Sequence, residues 1–330
     1  MAKGPGKCDR EGLSITEMMD LFGTEEKSKA WIEAKRWPHG PYCPRCGSFN
    51  VVAISHPSQS HRCKDCRKAG EKRNQFSVRT GTVMEASKLK YRAWAIGIYL
   101  YATNIKGVSS MRLHRELNIT QKSAWFVLHR LRKAAEEGSV VFTKAAEVDE
   151  TAVGGIRKNM SNAKRRKLKG TGRGSVGKAI VVGVKDRETK QVRAEVVDNT
   201  DSGTLQSFVV RHVSGSATVY TDDAAAYAGL PFKHETVRHS VSEYVNGIAH
   251  TNGIESFWSM FKRGYKGIYH KMSYKHLDRY VKEFVHRNNI RGLDTVNQME
   301  NIVVLMQGKR LRYSDLVADN GLPNGARPQE

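Results

Sequence analysis

Three acidic residues lie where the apolar segments of the chain could bring them together. Asp149 is in the strand-like AAEVDET, Asp222 ends a second strand-like run, ATVYTDD, and Glu255 follows on the helical pattern NGIESFWSMFKRG. An acidic residue at a strand end is often only a turn former or a helix cap, and each of the three alone has that ordinary explanation. Together, two aspartates on adjacent strands and a glutamate on a packed helix could converge on one point.

The chemistry of such a convergence requires metal ions. Two carboxylates about 4 Å apart repel by roughly 4 kcal/mol at an effective dielectric of 20, so three stay ionised together only beside compensating cations. Hard oxygen ligands suit Mg²⁺ or Mn²⁺. Two such ions about 4 Å apart would activate a water or a 3′-hydroxyl and stabilise the leaving oxygen in in-line phosphoryl transfer. We therefore expect Asp149, Asp222 and Glu255 to be catalytic metal ligands.

Four of the five cysteines form a second candidate metal site. Cys43 and Cys46 make one C-x2-C pair, and Cys63 and Cys66 make another after a gap of 16 residues. This spacing is typical of a structural zinc ribbon, in which four thiolates close the tetrahedron and leave no position for catalysis. Four ordinary buried cysteines or a thioredoxin-like redox pair are the alternatives, and duplication of the motif disfavours the second. Cys8 is left as an unpaired thiol.

The charge balance points to a polyanionic partner. Lys and Arg total 55 against 33 Asp and Glu, for a net charge of +22. Double-stranded DNA is the natural candidate, and an anionic membrane is the alternative. No run of about 18 apolar residues and no signal peptide is evident, so we expect a cytoplasmic, nucleoid-associated protein rather than a membrane protein.

Several basic and polar residues are candidates for DNA contacts. The segment SSMRLHRELNITQKSAWFVLHRLRKA reads as two helices around a turn with Thr120 as an N-cap, as in a helix-turn-helix, although any three-helix bundle gives a similar pattern. Nine Lys or Arg residues occur between Arg157 and Lys178 without an acid, either as a clamp on DNA or as a solvated run. The candidate DNA-binding residues are Gln121, Lys122, Arg157, Lys158, Lys164, Arg165, Arg166, Lys167, Lys262 and Arg263.

Five neighbours of the acidic residues have two possible interpretations each. Trp258 and Tyr265 could stack on unpaired bases but are more often core residues. His239, His250 and Asn252 could contact the scissile phosphate or brace the loop before Glu255, and we favour bracing because the carboxylates already supply the chemistry.

The pattern of elements predicts a multi-domain α+β protein. Helical periodicity dominates before residue 140, short Val-rich strands follow from 145, and helices return after 252. We expect N-terminal helices and a zinc ribbon in residues 1–86, a helix-turn-helix module in 87–140, a mixed α/β catalytic domain in 141–312 and a disordered tail in 313–330.

Several longer motifs carry a resemblance to a known family. The chain contains RWPHGPYCPRCGS, EVDETAVGG, VYTDDAAAY, HSVSEYVNGIAHTNGIESFWSMFKRGYKGIYH and HLDRYVKEFVHRNN. It resembles bacterial insertion-sequence transposases of the DDE type with an N-terminal zinc ribbon, which are related to Merlin transposons. The resemblance implies an RNase H-like catalytic domain with its triad on Asp149, Asp222 and Glu255. Some relatives have Asn at the position of Glu255, so the glutamate here favours an active enzyme.

The resemblance implies binding to terminal inverted repeats, cleavage of the element's ends and joining of the 3′-hydroxyl to target DNA, with at least a homodimer to pair the ends. A DNA-binding regulator that has lost catalysis is the main alternative, and a housekeeping nuclease without end preference is a second.

Overall fold

The computed structural model describes residues 10–138, 140–155, 160, 162–167, 177–237 and 251–322. They form two compact units, the described residues of 10–136 with those of 290–318, and the described residues of 137–289 with those of 319–322. None of the helices in the described ranges has the length and apolar character needed to cross a bilayer. The elements in chain order are α1 Ile15–Leu21, α2 Glu25–Arg36, β1 Val51–Ala53, β2 His61–Cys63, α3 Lys64–Lys68, β3 Gln75–Phe76, α4 Tyr91–Thr103, α5 Ser110–Leu117, α6 Gln121–Ala134, β4 Ala146–Val153, α7 Asn162–Lys167, β5 Ala179–Asp186, β6 Val192–Val197, α8 Ser202–His212, β7 Thr218–Asp222, β8 Lys233–Val237, α9 Asn252–Gly264, α10 Tyr274–Asn289, α11 Thr295–Leu305 and α12 Tyr313–Val317.

The first unit has one hydrophobic core that joins the zinc ribbon to the helices. Helix α4 is apolar on all sides, and its residues Trp94 and Ile98 are almost fully buried at the centre of this core. Cys43 and Cys63 belong to the same cluster, as do Met299, Ile302 and Val303 of α11. The sequence assigned residues 290–312 to the catalytic domain, whereas in the structure they complete the core of the first unit.

A tight turn joins α5 to α6, as the helix-turn-helix pattern predicted. Asn118 ends α5 in the left-handed conformation at φ 48°, which Asn tolerates better than most residues. Thr120 then caps α6, because its side-chain oxygen accepts a hydrogen bond from the Ser123 amide at 3.2 Å. The predicted N-cap is confirmed.

The C-terminal segment departs from the expectation of disorder beginning at residue 313. Residues Tyr313–Val317 form α12, and Leu316 is fully buried. Burial of one leucine and an edge contact between the rings of Tyr313 and Phe126 hold this short helix in the first unit. The disorder expectation is therefore wrong for 313–317, and residues 323–330 lie outside the described residues.

The second unit is built on a five-stranded mixed sheet of order β6-β5-β4-β7-β8. Strand β5 is antiparallel to both of its neighbours, β4 and β6, whereas β4, β7 and β8 are parallel to one another. Helix α8 packs on one face, and α9 and α10 pack on the other. This is the strand order of an RNase H-like sheet, so the predicted fold class is confirmed.

Helix α9 lies unusually close to the sheet. Ile254, Phe257, Trp258 and Phe261 form its buried stripe, as the 3.6-residue period predicted. Opposite them, Gly183 of β5 leaves room for the Trp258 ring, since a Cβ at Gly183 would lie 2.7 Å from it. The helix can therefore bring polar residues of its first turn next to the strand bearing Asp149, which pairs with Gly183 in the ladder.

Candidate active site and zinc centre

The four predicted cysteine ligands lie together. Their Sγ atoms are all within 4.8 Å of one another. The Sγ distances are 3.8 Å for Cys43 to Cys66, 3.6 Å for Cys46 to Cys63 and 3.4 Å for Cys46 to Cys66. Such separations exceed a disulfide bond. They match a tetrahedron with Zn–S bonds of about 2.3 Å, whose edges are about 3.8 Å, so the donor set fits Zn²⁺.

Local backbone structure positions the thiols. In the first knuckle Gly47 adopts φ 76°, and its amide donates to the Cys43 carbonyl at 2.9 Å. In the second, Cys63 is the N-cap of α3, and its Sγ accepts from the Cys66 amide at 3.4 Å. The Asp65 carboxylate joins the knuckles, since it accepts from the Asn50 side chain at 2.6 Å. The hydrogen bond with Cys46 and burial raise the pKa of the Cys66 thiol, which a bound cation would counteract.

The three predicted acidic residues come from three elements of the second unit. Asp149 lies in β4, Asp222 is the last residue of β7, and Glu255 is in the first turn of α9. Asp222 accepts from the Ala224 amide at 3.2 Å, and Glu255 accepts from the Thr251 hydroxyl at 2.9 Å. Glu255 is exposed, whereas the two aspartates are partly buried. A polyanion could therefore approach the carboxylates from the side of Glu255.

The electrostatics show that the structure brings these carboxylates together. The pKa of Asp149 is raised to about 7, first by burial and then by the negative charges of Glu150, Asp222 and Glu255. The charged neighbours that act most strongly on Asp149 are thus all carboxylates. A carboxylate such as Asp149, whose main charged neighbours are other acids, favours a bound metal cation beside it.

The carboxylates are spread more widely than the thiols. Within the described part of the chain, the four cysteines are the one group of three or more His, Cys, Asp or Glu residues with all ligand atoms within 4.8 Å. The ligand oxygens of Asp149, Asp222 and Glu255 therefore do not all lie within 4.8 Å of one another. Two ions about 4 Å apart, each with oxygen ligands at about 2 Å, connect ligand atoms up to about 8 Å apart.

Two further acidic residues of β4, Glu147 and Glu150, were not singled out in the sequence. Glu147 is 2% exposed and contacts the start of α9. Glu150 accepts from the Tyr227 hydroxyl at 2.7 Å. Burial raises the pKa of Glu150 although this hydrogen bond opposes the effect. The available signal was a glutamate flanked by the apolar residues Ala146 and Val148 at the start of a strand, where a buried ionisable group is rare unless it is paired.

The predicted DNA contacts are placed on both units. Gln121 and Lys122 begin α6 and are exposed; the Gln121 side chain donates to the Ser110 hydroxyl at 2.9 Å, and the Lys122 ammonium lies 4.6 Å from the centre of the Tyr313 ring. Lys262 and Arg263 are exposed in the last turn of α9.

The basic segment after β4 is described only in part. Arg165 and Arg166 are exposed on α7, whose backbone also includes Lys164 and Lys167. Arg157 and Lys158 lie outside the described residues, as do His239 and His250. Trp258 is 4% exposed and packs in the core of the second unit, which confirms the core interpretation.

Comparison with known proteins agrees with this architecture. Residues 144–289 match the family described as ISXO2-like transposase domain, and residues 23–69 match the transposase zinc-ribbon domain. The chain is also similar to an uncharacterized protein in transposable element ISH50 of Halobacterium salinarum. The two are 28% identical over 253 residues, which cover 73% of this chain and 83% of that relative.

The two family matches follow one another in the order that the sequence motifs predicted, and they coincide with the cysteine site and the mixed sheet. The two matches therefore identify a transposase zinc-ribbon domain followed by an ISXO2-like transposase domain, and in both the chain is similar to insertion-sequence transposases of the DDE type.

Proposed function

We propose that this transposase cuts the ends of its own element and joins the freed 3′-hydroxyl to target DNA, with Asp149, Asp222 and Glu255 as the catalytic triad. The observation that carries this proposal is the burial of Asp149 beside Glu150, Asp222 and Glu255, which together raise the pKa of Asp149 to about 7. A protein that only binds DNA has no use for a destabilised cluster of acids beside its polyanionic ligand.

The three carboxylates would hold two Mg²⁺ or Mn²⁺ ions, because their oxygens are hard ligands and in-line phosphoryl transfer is commonly catalysed by a pair of such ions. When bound, the ions lower the pKa of the attacking water or 3′-hydroxyl and stabilise the leaving oxygen. The protein keeps its acids in place from three separate elements. Thr251 orients Glu255 by donating its hydroxyl hydrogen to the carboxylate, and the Ala224 amide does the same for Asp222.

The remaining candidate residues would bind the DNA. Exposed Gln121 and Lys122 at the start of α6 suit contacts to bases or phosphates of the terminal repeats. The zinc ribbon would stabilise this recognition unit. Lys262 lies two turns beyond Glu255 on α9 and would hold a phosphate of the strand being cut. The basic residues between 157 and 178 would clamp the duplex.

Pairing of two ends requires at least two copies of the chain, so we propose that the active assembly is a homodimer or a larger oligomer on DNA. A protein acting on chromosomal DNA would work at the bacterial nucleoid.

The test uses purified protein, Mg²⁺ and a plasmid that carries the gene with its flanking DNA. Asp149→Asn, Asp222→Asn and Glu255→Gln should each reduce strand cleavage by roughly 10³-fold, the rate equivalent of several kcal/mol of transition-state stabilisation. End binding should persist in all three. Binding without nicking by the unaltered protein would favour the regulator, and cutting without preference for the flanks would favour a general nuclease. Retained cleavage in any variant would refute that residue's assignment.

A further inference from the structure

Glu147 is a buried acid with no part in the chemistry proposed above. It lies two residues before Asp149 on β4 and therefore on the same face of the sheet. Its side chain is 3% exposed, and its Oε2 accepts a hydrogen bond at 2.9 Å from the amide of Ile254. Ile254 immediately precedes Glu255, so a contact from the strand of one catalytic acid reaches the backbone beside another.

The start of α9 depends on the Glu147 contact because the side chain of its N-cap residue does not bond to the first-turn amides. Thr251 is the N-cap residue, yet its side chain makes no capping hydrogen bond to the helix. Its hydroxyl instead donates to the Glu255 carboxylate at 2.9 Å. The first-turn amides of a helix need acceptors and favour negative charge. Glu147, from a distant part of the chain, supplies the acceptor that a capping threonine would ordinarily provide.

The approach of Glu147 to the helix is so close that it requires a glycine. A Cβ on Gly253 would lie 2.5 Å from Oε2 of Glu147, well inside van der Waals contact. The Gly253 carbonyl also accepts from the Lys185 ammonium at 2.7 Å. Lys185 pairs with Glu147 in the β4–β5 ladder. Two paired residues of the sheet thus hold the first turn of α9. Glu147 accepts from the Ile254 amide, and Lys185 donates to the Gly253 carbonyl.

A third side chain holds the Glu147 carboxylate itself. The Arg187 Nε donates to Oε1 of Glu147 at 3.0 Å. The Arg187 guanidinium in turn lies 3.6 Å from the centre of the Tyr220 ring, and Tyr220 pairs with Glu147 in the ladder between β4 and β7. One oxygen of the Glu147 carboxylate therefore accepts from Arg187, and the other accepts from the Ile254 amide of α9. A buried charge pair of this kind is costly to break by removing one partner.

We infer that Glu147 is a positioning residue that fixes the first turn of α9 against β4 and so sets the position of Glu255 relative to Asp149. This inference rests on the proposed catalytic role of Glu255. Removing the acceptor frees the Ile254 amide and lets the first turn shift or fray, which would separate Glu255 from the other acids. Residues that orient metal ligands typically contribute about 10- to 100-fold in metal affinity or activity.

The experiment compares three variants of the full chain. Glu147→Ala removes both contacts, and Glu147→Gln keeps one oxygen for the Ile254 amide. Glu195→Ala is the matched control, because Glu195 lies on β6 of the same sheet and is likewise ion-paired with an arginine, Arg211, at 3.0 Å. Three quantities are measured: Mg²⁺-dependent cleavage of the plasmid with its flanks, Mn²⁺ binding by electron paramagnetic resonance, and amide hydrogen exchange over residues 252–256.

For Glu147→Ala we expect cleavage to fall by about 10- to 100-fold, Mn²⁺ affinity to fall by a similar factor and exchange at the Ile254 amide to accelerate. Glu147→Gln should recover part of all three, and Glu195→Ala should match the unaltered protein. Unchanged cleavage and Mn²⁺ affinity in Glu147→Ala would overturn the inference. So would a loss of cleavage with Ile254 exchange and Mn²⁺ affinity unaltered in a folded variant. If Glu147→Ala does not fold, Glu147→Gln decides alone by the same criteria. Failure of the proposed function is a distinct result, since Glu255→Gln would then retain cleavage.

Discussion

The cysteine site and the carboxylate site are two candidate metal centres built on opposite principles. Four thiols gather within 4.8 Å of one another from two short hairpin-like knuckles, with neighbouring ligands only three residues apart. The carboxylates come from two strands and a helix, and the last ligand lies 106 residues after the first (255 minus 149). An ion at the first site would hold a small fold together, whereas at the second a completed fold would hold the proposed ions.

Glu137, a largely buried acid of the second unit, differs from Asp149 because its neighbours are basic side chains of the protein. The Glu137 carboxylate accepts from His286 at 3.0 Å and from Arg193 at 2.7 Å. Burial alone would raise the pKa of Glu137, but the hydrogen bond and charge of His286 and the charge of Arg193 lower it to about 2. The pKa of Asp149 is instead raised. The structural acid Glu137 and the candidate catalytic acid Asp149 therefore differ in the sign of the charges that surround them.

The largest expected effect comes from removing the zinc. Chelation, or Cys63→Ser, should unfold the ribbon, because structural zinc contributes about 10–16 kcal/mol to folding in zinc-finger peptides. Amide hydrogen exchange across residues 43–76 should lose its protection. Cys8→Ser is the control and should retain one zinc ion per chain. Full protection in the metal-free protein would mean that the hydrophobic core, which includes Cys43 and Cys63, holds the ribbon without the ion.

Replacing Asp149 should change stability less than removing zinc does, and in the opposite direction, because the substitution should stabilise the metal-free protein. Its folded pKa of about 7 is above the ordinary value of 3.8, so the folded state binds a proton more tightly than the unfolded state. The metal-free protein should therefore lose stability as pH rises from about 4 to about 7, by at most roughly 4 kcal/mol before solvent screening. Asp149→Asn should remove this dependence, raise the melting temperature at pH 8 and abolish further stabilisation by Mg²⁺.

Calorimetry of the full chain between pH 5 and 8, with and without Mg²⁺, measures how the melting temperatures of Asp149→Asn and of the unaltered protein depend on pH and on the ion. Asp278→Asn is the matched control, because Asp278 is largely exposed on α10 and pairs with Lys282 at 2.5 Å. If Asp149→Asn were no more stable than the unaltered metal-free protein at pH 8, the repulsion among the carboxylates would not be a cost to the fold.

Glu137→Gln should destabilise the second unit by about 1.5–3 kcal/mol, the usual contribution of a charged hydrogen bond. The folded pKa of Glu137 is lowered to about 2, so its contribution is present above the ordinary pKa near 4.5 and is lost as pH falls toward 2. Urea unfolding at pH 7 and pH 3 measures both. Glu188→Gln, which breaks an exposed ion pair with Lys144, should change stability by less than about 1 kcal/mol. Equal effects of Glu137→Gln and Glu188→Gln on stability would contradict the conclusion that Glu137 is a stabilising buried acid.

The smallest expected effect concerns Lys262. Lys262→Ala should weaken DNA binding several-fold for all sequences and reduce the slope of log affinity against log salt by about 0.9, the amount for one lost phosphate contact. Arg211→Ala, on the opposite face of the sheet, should leave the slope unchanged. An unaltered slope for Lys262→Ala would leave this lysine as an ordinary surface residue.

Periodicity and local motifs were sufficient to predict most of the elements and the zinc ligands. The helical stripe of α9, the Val-rich strands and the Thr120 cap are local patterns, and the structure contains each of them. Membership of α11 in the first unit was not predictable in this way. Its apolar residues Met299 and Ile302 fit any core, and only long-range packing decides which one they join.

The sequence by itself determined the zinc-ribbon spacing, the basic charge and the order of strands and helices, because these depend on residue type and on neighbours a few positions away. Only the tertiary structure decided which acids repel one another, that Glu147 supplies the acceptor for α9, and that Gly183 and Gly253 admit the helix so close to the sheet. Burial and the distance between charges depend on which distant segments pack together, and no local pattern encodes them.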